Sequence, residues 1–203
     1  PIDVSFEPAR NEEDPDYQPY RRDERLVRSW AIPGTPGLEH RVGGLEKEDE
    51  TGNVSYDPEN HQKMVHLRRD KVEAVADHIP LQDVELGGAR GEAVLVGWGS
   101  TYGSIRTAVK ELREEGVDVA HVHLRYLNPF PKNLEELLRG YRHVFVPEIN
   151  DGQLVRILRD RFLIPAKGIN QIRGRPFRVR DLKEQVVKNL QSPEAAASHL
   201  NGR

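Results

Sequence analysis

A glycine- and hydroxyl-rich segment, residues 97–104, follows an apolar run near the middle of the chain. Glycines let backbone N–H groups face outward, and a helix N-terminus flanked by serine and threonine hydroxyls suits an anion such as a phosphate. The spacing Gly-x-Gly-x-x-x-Gly departs from the common dinucleotide fingerprint, because Tyr102 stands where the third glycine is expected. Arg125, after the next apolar run, would suit the 2′-phosphate of NADP. The candidate binding residues of this segment are Gly99, Ser100, Thr101, Tyr102 and Gly103.

Three further loops follow predicted strands, at residues 125–131, 147–153 and 170–174. Ligands and partners meet an open parallel sheet at the carboxyl ends of its strands, so these loops are candidate binding or interface segments. Either Asp151 or Asn150 would cap the helix that follows the second of them. The third is the most basic segment of the chain and could bind a phosphate or an acidic partner. Its arginines are Arg173, Arg175, Arg178 and Arg180. In the first two loops, the candidate binding or interface residues are Arg125, Asn128, Glu148, Asn150 and Gln153.

The residue types that perform catalysis are scarce. The chain has no cysteine, which excludes thiolate nucleophiles and any iron–sulfur cluster ligated by thiolates of this chain. Glu148 is the one carboxylate well placed for general acid or base work, and nothing adjacent in sequence would tune it. His121 and His123 alternate on one predicted strand and suggest the edge of a metal site, but the spacing supplies no third ligand. We therefore assign no catalytic residue and no metal ligand.

Alternating strands and helices must position these loops. A near-continuous apolar run such as residues 93–98 is typical of a strand buried on both faces, and short links between alternating elements favour parallel pairing. The sequence thus predicts a small doubly wound parallel α/β domain over residues 91–191. Its predicted strands are residues 93–98, 117–124, 143–146 and 168–172. Its predicted helices are residues 105–115, 134–138, 154–162 and 180–190.

The segment before this domain has a different composition. Residues 1–60 hold 15 acidic and 7 basic residues, whereas residues 61–203 hold 18 and 23. A segment with low apolar content and high net charge buries too little surface to form a compact domain alone. Residues 1–56 are therefore either a solvated linker or an arm that docks through spaced aromatics. Those aromatics are Phe6, Tyr17, Tyr20 and Trp30.

A connector and a tail complete the organisation. Asp57 can cap a helix whose first turn accepts Pro58, and Pro80 stops that helix near Ile79. We expect residues 57–90 to be a docking helix and linker, and residues 192–203 a frayed tail. One narrow stripe of the helix should pack on a larger body. That stripe consists of Val65, Val72, Val75 and Ile79.

Composition also limits the class of protein. No apolar run is long enough for a membrane span and no secretory signal opens the chain, so we expect a cytoplasmic protein with no membrane contact. Basic residues alternate with acidic ones, which argues against nucleic-acid binding. The chain opens on Pro1 and its one methionine is Met64, so we expect a piece of a longer polypeptide.

Several motifs agree in order with one known family. Over residues 24–190 the chain resembles the alpha subunit of 2-oxoacid:ferredoxin oxidoreductases, most closely the 2-oxoglutarate type. The later motifs resemble the family's transketolase C-terminal-like domain. The motifs that carry the resemblance are residues 31–37 (Ala-Ile-Pro-Gly-Thr-Pro-Gly), His40, 43–46, 49–53, 57–60, 71–72, 97–103 (Gly-Trp-Gly-Ser-Thr-Tyr-Gly), 127–131 (Leu-Asn-Pro-Phe-Pro) and 148–154 (Glu-Ile-Asn-Asp-Gly-Gln-Leu). Arg41-Val42-Gly43 after His40, and Lys47 after Glu46, depart from the expected pattern and leave the substrate subtype open.

The resemblance implies a reaction that this chain would not perform alone. The family oxidatively decarboxylates 2-oxoglutarate to succinyl-CoA and passes electrons through an iron–sulfur cluster to ferredoxin. Thiamine diphosphate and Mg²⁺ lie between an upstream domain of the alpha subunit and the beta subunit, within an oligomer, and CoA is a substrate. Our leading hypothesis is a structural and assembly domain, inactive by itself, whose loops face partner domains or CoA. The alternative is a free-standing NADP-binding module that uses residues 97–103 and Arg125.

Overall fold

The computed structural model describes residues 8–9 and 15–192. The chain forms two compact units, Pro1–His78 and Ile79–Arg203, and each is described by itself. Two sequence expectations, docking by Phe6 and fraying of the tail beyond residue 192, lie outside the described residues.

The described part of the first unit is irregular before its helix, as predicted. Isolated bridges tie it together, including an antiparallel one between Tyr20 and Glu50. Asp49 is the polar centre of the arm, because its carboxylate lies 2.6 Å from both Arg22 Nη1 and Lys63 Nζ. Its backbone N–H also donates to Asn60 Oδ1 at 3.0 Å. The arm is thus fastened to the following helix by ion pairs and hydrogen bonds.

Helix α1 spans Pro58–Ala74 and continues as a short 3₁₀ turn to Asp77. Asp57 caps it as predicted, since its Oδ1 accepts from the N–H of Glu59 at 3.0 Å. The stripe expected to pack on a larger body is not buried in this structure, and its docking stays a prediction. Met64 is the buried side chain of α1, at 1% exposure, whereas the valines of the stripe are each more than 40% exposed. Those exposed side chains are Val65, Val72 and Val75.

The second unit is an alternating α/β domain, as predicted. Its strands are β1 (Gly91–Trp98), β2 (Val119–Leu124), β3 (Tyr141–Glu148) and β4 (Lys167–Asn170). Its helices are α2 (Tyr102–Glu114), α3 (Leu134–Arg139), α4 (Gln153–Phe162) and α5 (Val179–Leu190).

The four strands form one parallel sheet in the order β2-β1-β3-β4. Side chains of β1 alternate between two hydrophobic clusters, because successive residues of a strand point to opposite faces. Val94 and Val96 belong to the cluster that includes residues of α3 and α4, and Ala93 and Leu95 to the one that includes residues of α2 and α5. The domain is therefore doubly wound, with helices on both faces of the sheet.

The segment before β1 belongs to this domain rather than to a linker. The N–H of Glu85 donates to the carbonyl of His121 at 2.9 Å, and the N–H of His121 donates to the carbonyl of Leu86 at 2.7 Å. Gln82 and Asn133 exchange two further hydrogen bonds of 2.8 and 2.9 Å. The segment pairs antiparallel to β2 and covers its outer edge, so the domain begins before the predicted boundary at Gly91.

Candidate functional site

The strand order places the ends of β1 and β3 side by side, with α2 leaving toward one side of the sheet and α4 toward the other. In open α/β sheets this topological switch point is where ligands bind, in the crevice outside the carboxyl ends of the strands. The loops after Trp98 and after Glu148 meet here, so the sequence expectation of adjacent loop residues is geometrically sound. Whether the crevice is open depends on the side chains that fill it.

Glu148 fills the crevice. It is fully buried, and its Oε1 accepts hydrogen bonds from Leu154 N at 2.8 Å and from Trp98 Nε1 at 3.3 Å. Its Oε2 accepts from Val155 N at 3.0 Å. A buried carboxylate is tolerated when its lone pairs are met by donors of this kind, here including the free N–H groups of a helix start. Glu148 thus fastens α4 to the end of β1 and is not exposed to act on a substrate.

Asn150 supports the same junction. Its Nδ2 donates to Glu148 Oε1 at 3.1 Å, while its Oδ1 accepts from the N–H of Gly152 at 2.7 Å and of Gln153 at 3.0 Å. The amide therefore bonds the free N–H groups at the start of α4, the role that the sequence left open between Asp151 and Asn150. Asp151 instead lies exposed and pairs with Arg156 at 3.1 Å.

Gly152 allows the tight turn between β3 and α4. Its φ of +82° lies in the left-handed region that favours glycine, and a Cβ there would lie 2.8 Å from Asn170 Nδ2. The side chain of Gln153, one residue later, is exposed at the first position of α4. Of the three candidates in this loop, Glu148 and Asn150 are joined by hydrogen bonds and Gln153 takes part through its backbone.

The glycine-rich segment after β1 has a packing role at its first position. A Cβ on Gly97 would overlap Ile105 Cδ1 of α2 and lie 2.9 Å from Thr101 Oγ1. Thr101 is buried, and its hydroxyl donates to the carbonyl of Trp98 at 2.8 Å and accepts from the same residue's N–H at 3.1 Å. Gly97 therefore allows close strand–helix contact, and Thr101 closes the turn.

The remaining candidates of this segment lie at the surface. Gly99, Ser100 and Gly103 are exposed, with open space around both glycines. Arg125 and Asn128 are exposed in the loop after β2, the neighbour of β1 away from the switch point. Trp98 Nε1 and the buried carboxylate of Glu148 are hydrogen-bonded to each other where β1 and β3 end, so these two side chains occupy part of the crevice. The NADP alternative stays a prediction, since Arg125 follows the strand that pairs with β1.

Tyr102 belongs to a second cluster, with His121 and His123 of β2. Its ring lies 5.4 and 4.9 Å from the two imidazole rings, measured between centroids, and its hydroxyl donates to Glu85 Oε2 at 3.1 Å. His121 is fully buried, and neither of its ring nitrogens has a hydrogen-bond partner among the described residues.

The electrostatics of the pair follow from this burial. Desolvation lowers the pKa of His121 to about 4, and the charges of His123 and Arg106 act in the same direction. Desolvation also lowers the pKa of His123, which Glu85 opposes and Arg125 reinforces. Both rings are therefore neutral at physiological pH and behave as part of the core.

Sequence reasoning missed Trp98 and Glu85. Trp98 is the last residue of a buried strand and precedes a glycine turn. Its position indicates an indole N–H at the carboxyl end of the sheet, where it could donate a hydrogen bond to Glu148. Glu85 lies in a stretch assigned to a linker, and nothing local in the sequence indicates that it pairs with β2. Both contacts join residues far apart in the chain, at separations of 50 and 17 positions.

The described residues do not fit the metal ion or the iron–sulfur cluster that the resemblance implies. They contain no cluster of three or more His, Cys, Asp or Glu side chains able to hold a metal ion. The carboxylate at the switch point, Glu148, already accepts hydrogen bonds on both oxygens. A cluster held by cysteine thiolates needs another chain or domain, because this sequence has no cysteine.

None of the helices in the described part of the chain is long and apolar enough to cross a membrane.

Comparison with known proteins identifies the domain. Residues 91–182 match the family model described as pyruvate:ferredoxin oxidoreductase core domain II. The chain is 49% identical over 162 residues to the 2-oxoglutarate oxidoreductase subunit KorA of Mycobacterium tuberculosis, covering 79% of this chain and 24% of that protein. It is 35% identical over 143 residues to the 2-oxoglutarate synthase subunit KorA of Methanocaldococcus jannaschii, covering 70% of this chain and 37% of that one.

A solved structure shares the fold over most of the chain. It is the 2-oxoglutarate:ferredoxin oxidoreductase from Magnetococcus marinus with 2-oxoglutarate, coenzyme A and succinyl-CoA bound. The match has a TM-score of 0.79 at 30% identity, covering 86% of this chain and 31% of that one. This chain thus spans between a quarter and two-fifths of the length of these relatives. The fold, the domain match and the relatives agree with the motifs read from the sequence, and the chain belongs to the alpha-subunit family of 2-oxoacid:ferredoxin oxidoreductases.

Proposed function

We propose that this chain is the structural and assembly part of the alpha subunit of a thiamine-diphosphate-dependent 2-oxoglutarate:ferredoxin oxidoreductase. The reaction converts 2-oxoglutarate, CoA and oxidised ferredoxin into succinyl-CoA, carbon dioxide and reduced ferredoxin. The beta subunit and an upstream domain of the alpha subunit hold thiamine diphosphate and Mg²⁺, and the cluster is held outside this chain. The assembled oligomer works in the cytoplasm, and ferredoxin meets it through the complex.

The observation that carries this proposal is the closed switch point. At the place where an α/β domain ordinarily binds its ligand, Glu148 is buried and accepts hydrogen bonds from Trp98, Asn150 and the start of α4. Such an arrangement holds two loops rigid and presents no free acid, base or nucleophile. The exposed residues of the loops after β1, β2 and β3 are then available to partner domains or to CoA. They are Gly99, Ser100, Tyr102, Gly103, Arg125, Asn128 and Gln153.

Reconstitution tests this function. The 203-residue chain is mixed with 2-oxoglutarate, CoA and ferredoxin, alone and after co-expression with the beta subunit and the upstream domain. We expect reduced ferredoxin and succinyl-CoA only from the assembled complex, since this chain lacks the catalytic groups. Turnover by the chain alone would overturn the assembly role, and a complex that forms and turns over without this chain would overturn its place in the enzyme.

A titration addresses the NADP alternative. Trp98 is half-buried within the glycine-rich segment, so its fluorescence would report a nucleotide bound there. We expect no saturable change on adding NADPH. Saturable micromolar binding that Arg125→Glu abolishes would instead favour the nucleotide-binding module.

A further inference from the structure

The loop between β4 and α5 carries the most concentrated positive charge of the second unit. We call residues 171–178 the arginine loop. Within these eight residues lie three exposed arginines and one strongly exposed isoleucine, Ile172, at 72% exposure. The three arginines are Arg173, Arg175 and Arg178.

Hydrogen bonds attach the loop to the rest of the domain at both of its ends. The N–H of Gln171 donates to the carbonyl of Glu148 at 2.9 Å, which ties the start of the loop to the end of β3. The side-chain amide of Gln171 then donates to the carbonyls of Arg175 at 2.9 Å and Pro176 at 3.4 Å. Near the other end, Phe177 is buried and its carbonyl accepts from Ser104 Oγ at 3.0 Å. The arginines therefore project from a pre-organised support, which reduces the ordering cost of binding.

The three arginines have no carboxylate partner among the described residues. Other arginines of this unit do: Arg139 pairs with Glu135 at 2.9 Å and Arg142 with Glu92 at 3.4 Å. Three like charges gathered in one short loop without local compensation repel one another, and an opposing negative surface removes that repulsion. Since guanidinium groups match carboxylates in a planar two-bonded geometry, the complementary surface is rich in Asp and Glu.

Ile172 indicates the class of partner. A free phosphate would use the arginines but would leave the isoleucine that precedes them exposed. A protein surface satisfies both, because interface cores combine arginine with apolar anchors. A second copy of this chain that met this loop on a two-fold axis would bring the same arginines against each other, which disfavours that contact. We propose that the arginine loop is a docking surface for an acidic face of a different protein, with Ile172 as its apolar anchor.

Peptide titration tests this surface on the full 203-residue chain. Two fluorescent peptides of equal charge serve as probes, one repeating Glu-Glu-Leu-Gly and the other Glu-Glu-Ser-Gly. We expect salt-sensitive binding of both, tighter for the leucine peptide. Arg173→Glu with Arg175→Glu should weaken both by about tenfold or more, as loss of charge complementarity does. Ile172→Ser should abolish the preference for leucine and leave binding of the serine peptide unchanged.

A control with the same change in charge separates the loop from net charge. Arg90→Glu with Arg159→Glu alters two exposed arginines elsewhere on the unit, and it should leave binding within about twofold. Circular dichroism verifies that every variant is folded. Three outcomes would each overturn the inference. The control could lose as much binding as the loop variant, the wild-type chain could fail to bind either peptide, or inorganic polyphosphate could bind more tightly than the leucine peptide. None of these outcomes depends on the oxidoreductase assay, so failure here leaves the proposed function separately testable.

Discussion

The buried histidine of β2 should make the second unit sensitive to acid in a way that one substitution removes. His121 lies under Tyr102 with neither ring nitrogen paired among the described residues, and burial lowers its pKa to about 4. The charged and titratable groups around it are His123 and Arg106, with Glu85 beyond Tyr102. His121→Leu removes the titrating group and the unpaired nitrogens while keeping a side chain of similar volume. The substitution tests whether burial of this ring sets the acid response.

The linkage between proton binding and folding gives the sign and size of this acid effect on the free energy of unfolding. A histidine whose folded pKa lies below its unfolded value binds a proton more readily in the unfolded state. The stability it contributes is therefore present above the ordinary pKa of 6.5 and is lost as the pH falls toward the folded pKa of about 4. Between pH 7 and pH 5 this amounts to about 2 kcal/mol of unfolding free energy. Because the pKa of His123 is also lowered, its protonation adds a further loss of stability as the pH falls.

Urea unfolding at pH 7, 6 and 5 measures the effect. Trp30→Phe leaves Trp98 as the remaining tryptophan, so fluorescence reports the second unit alone. We expect His121→Leu to recover about 2 kcal/mol of the wild-type loss between pH 7 and pH 5. The control His66→Leu, at an exposed position of α1, should behave as the wild type. A variant that loses as much stability as the wild type over this range would refute the assignment of the acid response to His121.

Two further perturbations test the fold. Gly97→Ala should lower the free energy of unfolding by roughly 1–3 kcal/mol, because the added methyl group overlaps Ile105. Adding Ile105→Val should restore part of this loss. The control Gly103→Ala, where the structure leaves open space, should be nearly neutral in the same thermal melts. Burial would raise the pKa of Asp49, but Lys63 and Arg22 hold it below its usual value, so the first unit should lose stability as the pH falls through that pKa. Asp49→Asn should reduce this acid dependence, measured by urea unfolding of a Trp98→Phe background in which Trp30 fluorescence follows the first unit. An unchanged dependence would contradict the ion-pair account.

Much of the second unit could be predicted because its signals are local. Apolar runs and helical periodicity located all four strands and four helices, and the apolar residues at helical spacing in α2 and α4 are buried. Those positions are Ile105, Ala108, Val109, Leu112, Leu154, Val155, Leu158 and Phe162. The exposed stripe of α1 shows the limit, because periodicity identifies an apolar face without showing what covers it. Buried Met64 is adjacent to that stripe and is contacted by Arg22 at 3.7 Å across 42 residues.

The candidate site was predicted as a location and not as a mechanism. Sequence placed Glu148 at the end of a strand, where an acid or base would be useful. Its actual role depends on Trp98, which lies 50 residues away, and on the helix start at Leu154. Similarly, the glycine spacing suggested an anion site, whereas the closest constraint on Gly97 is the side chain of Ile105. Composition shows which chemistry a residue can perform, and only packing shows whether that chemistry is accessible.

The kinetics of the assembled complex carrying Glu148→Gln test the central claim most directly. The amide keeps the side-chain size but cannot accept the full set of hydrogen bonds that the carboxylate receives, so the junction of β1 and α4 should weaken by roughly 1–3 kcal/mol. Size-exclusion chromatography gives the assembled fraction, and ferredoxin reduction gives kcat and KM per assembled complex. We predict a lower melting temperature and less assembled complex, with kcat and KM within about twofold of the wild type. A fully assembled, equally stable complex whose kcat falls about a hundredfold would contradict the claim that the switch point is a structural junction.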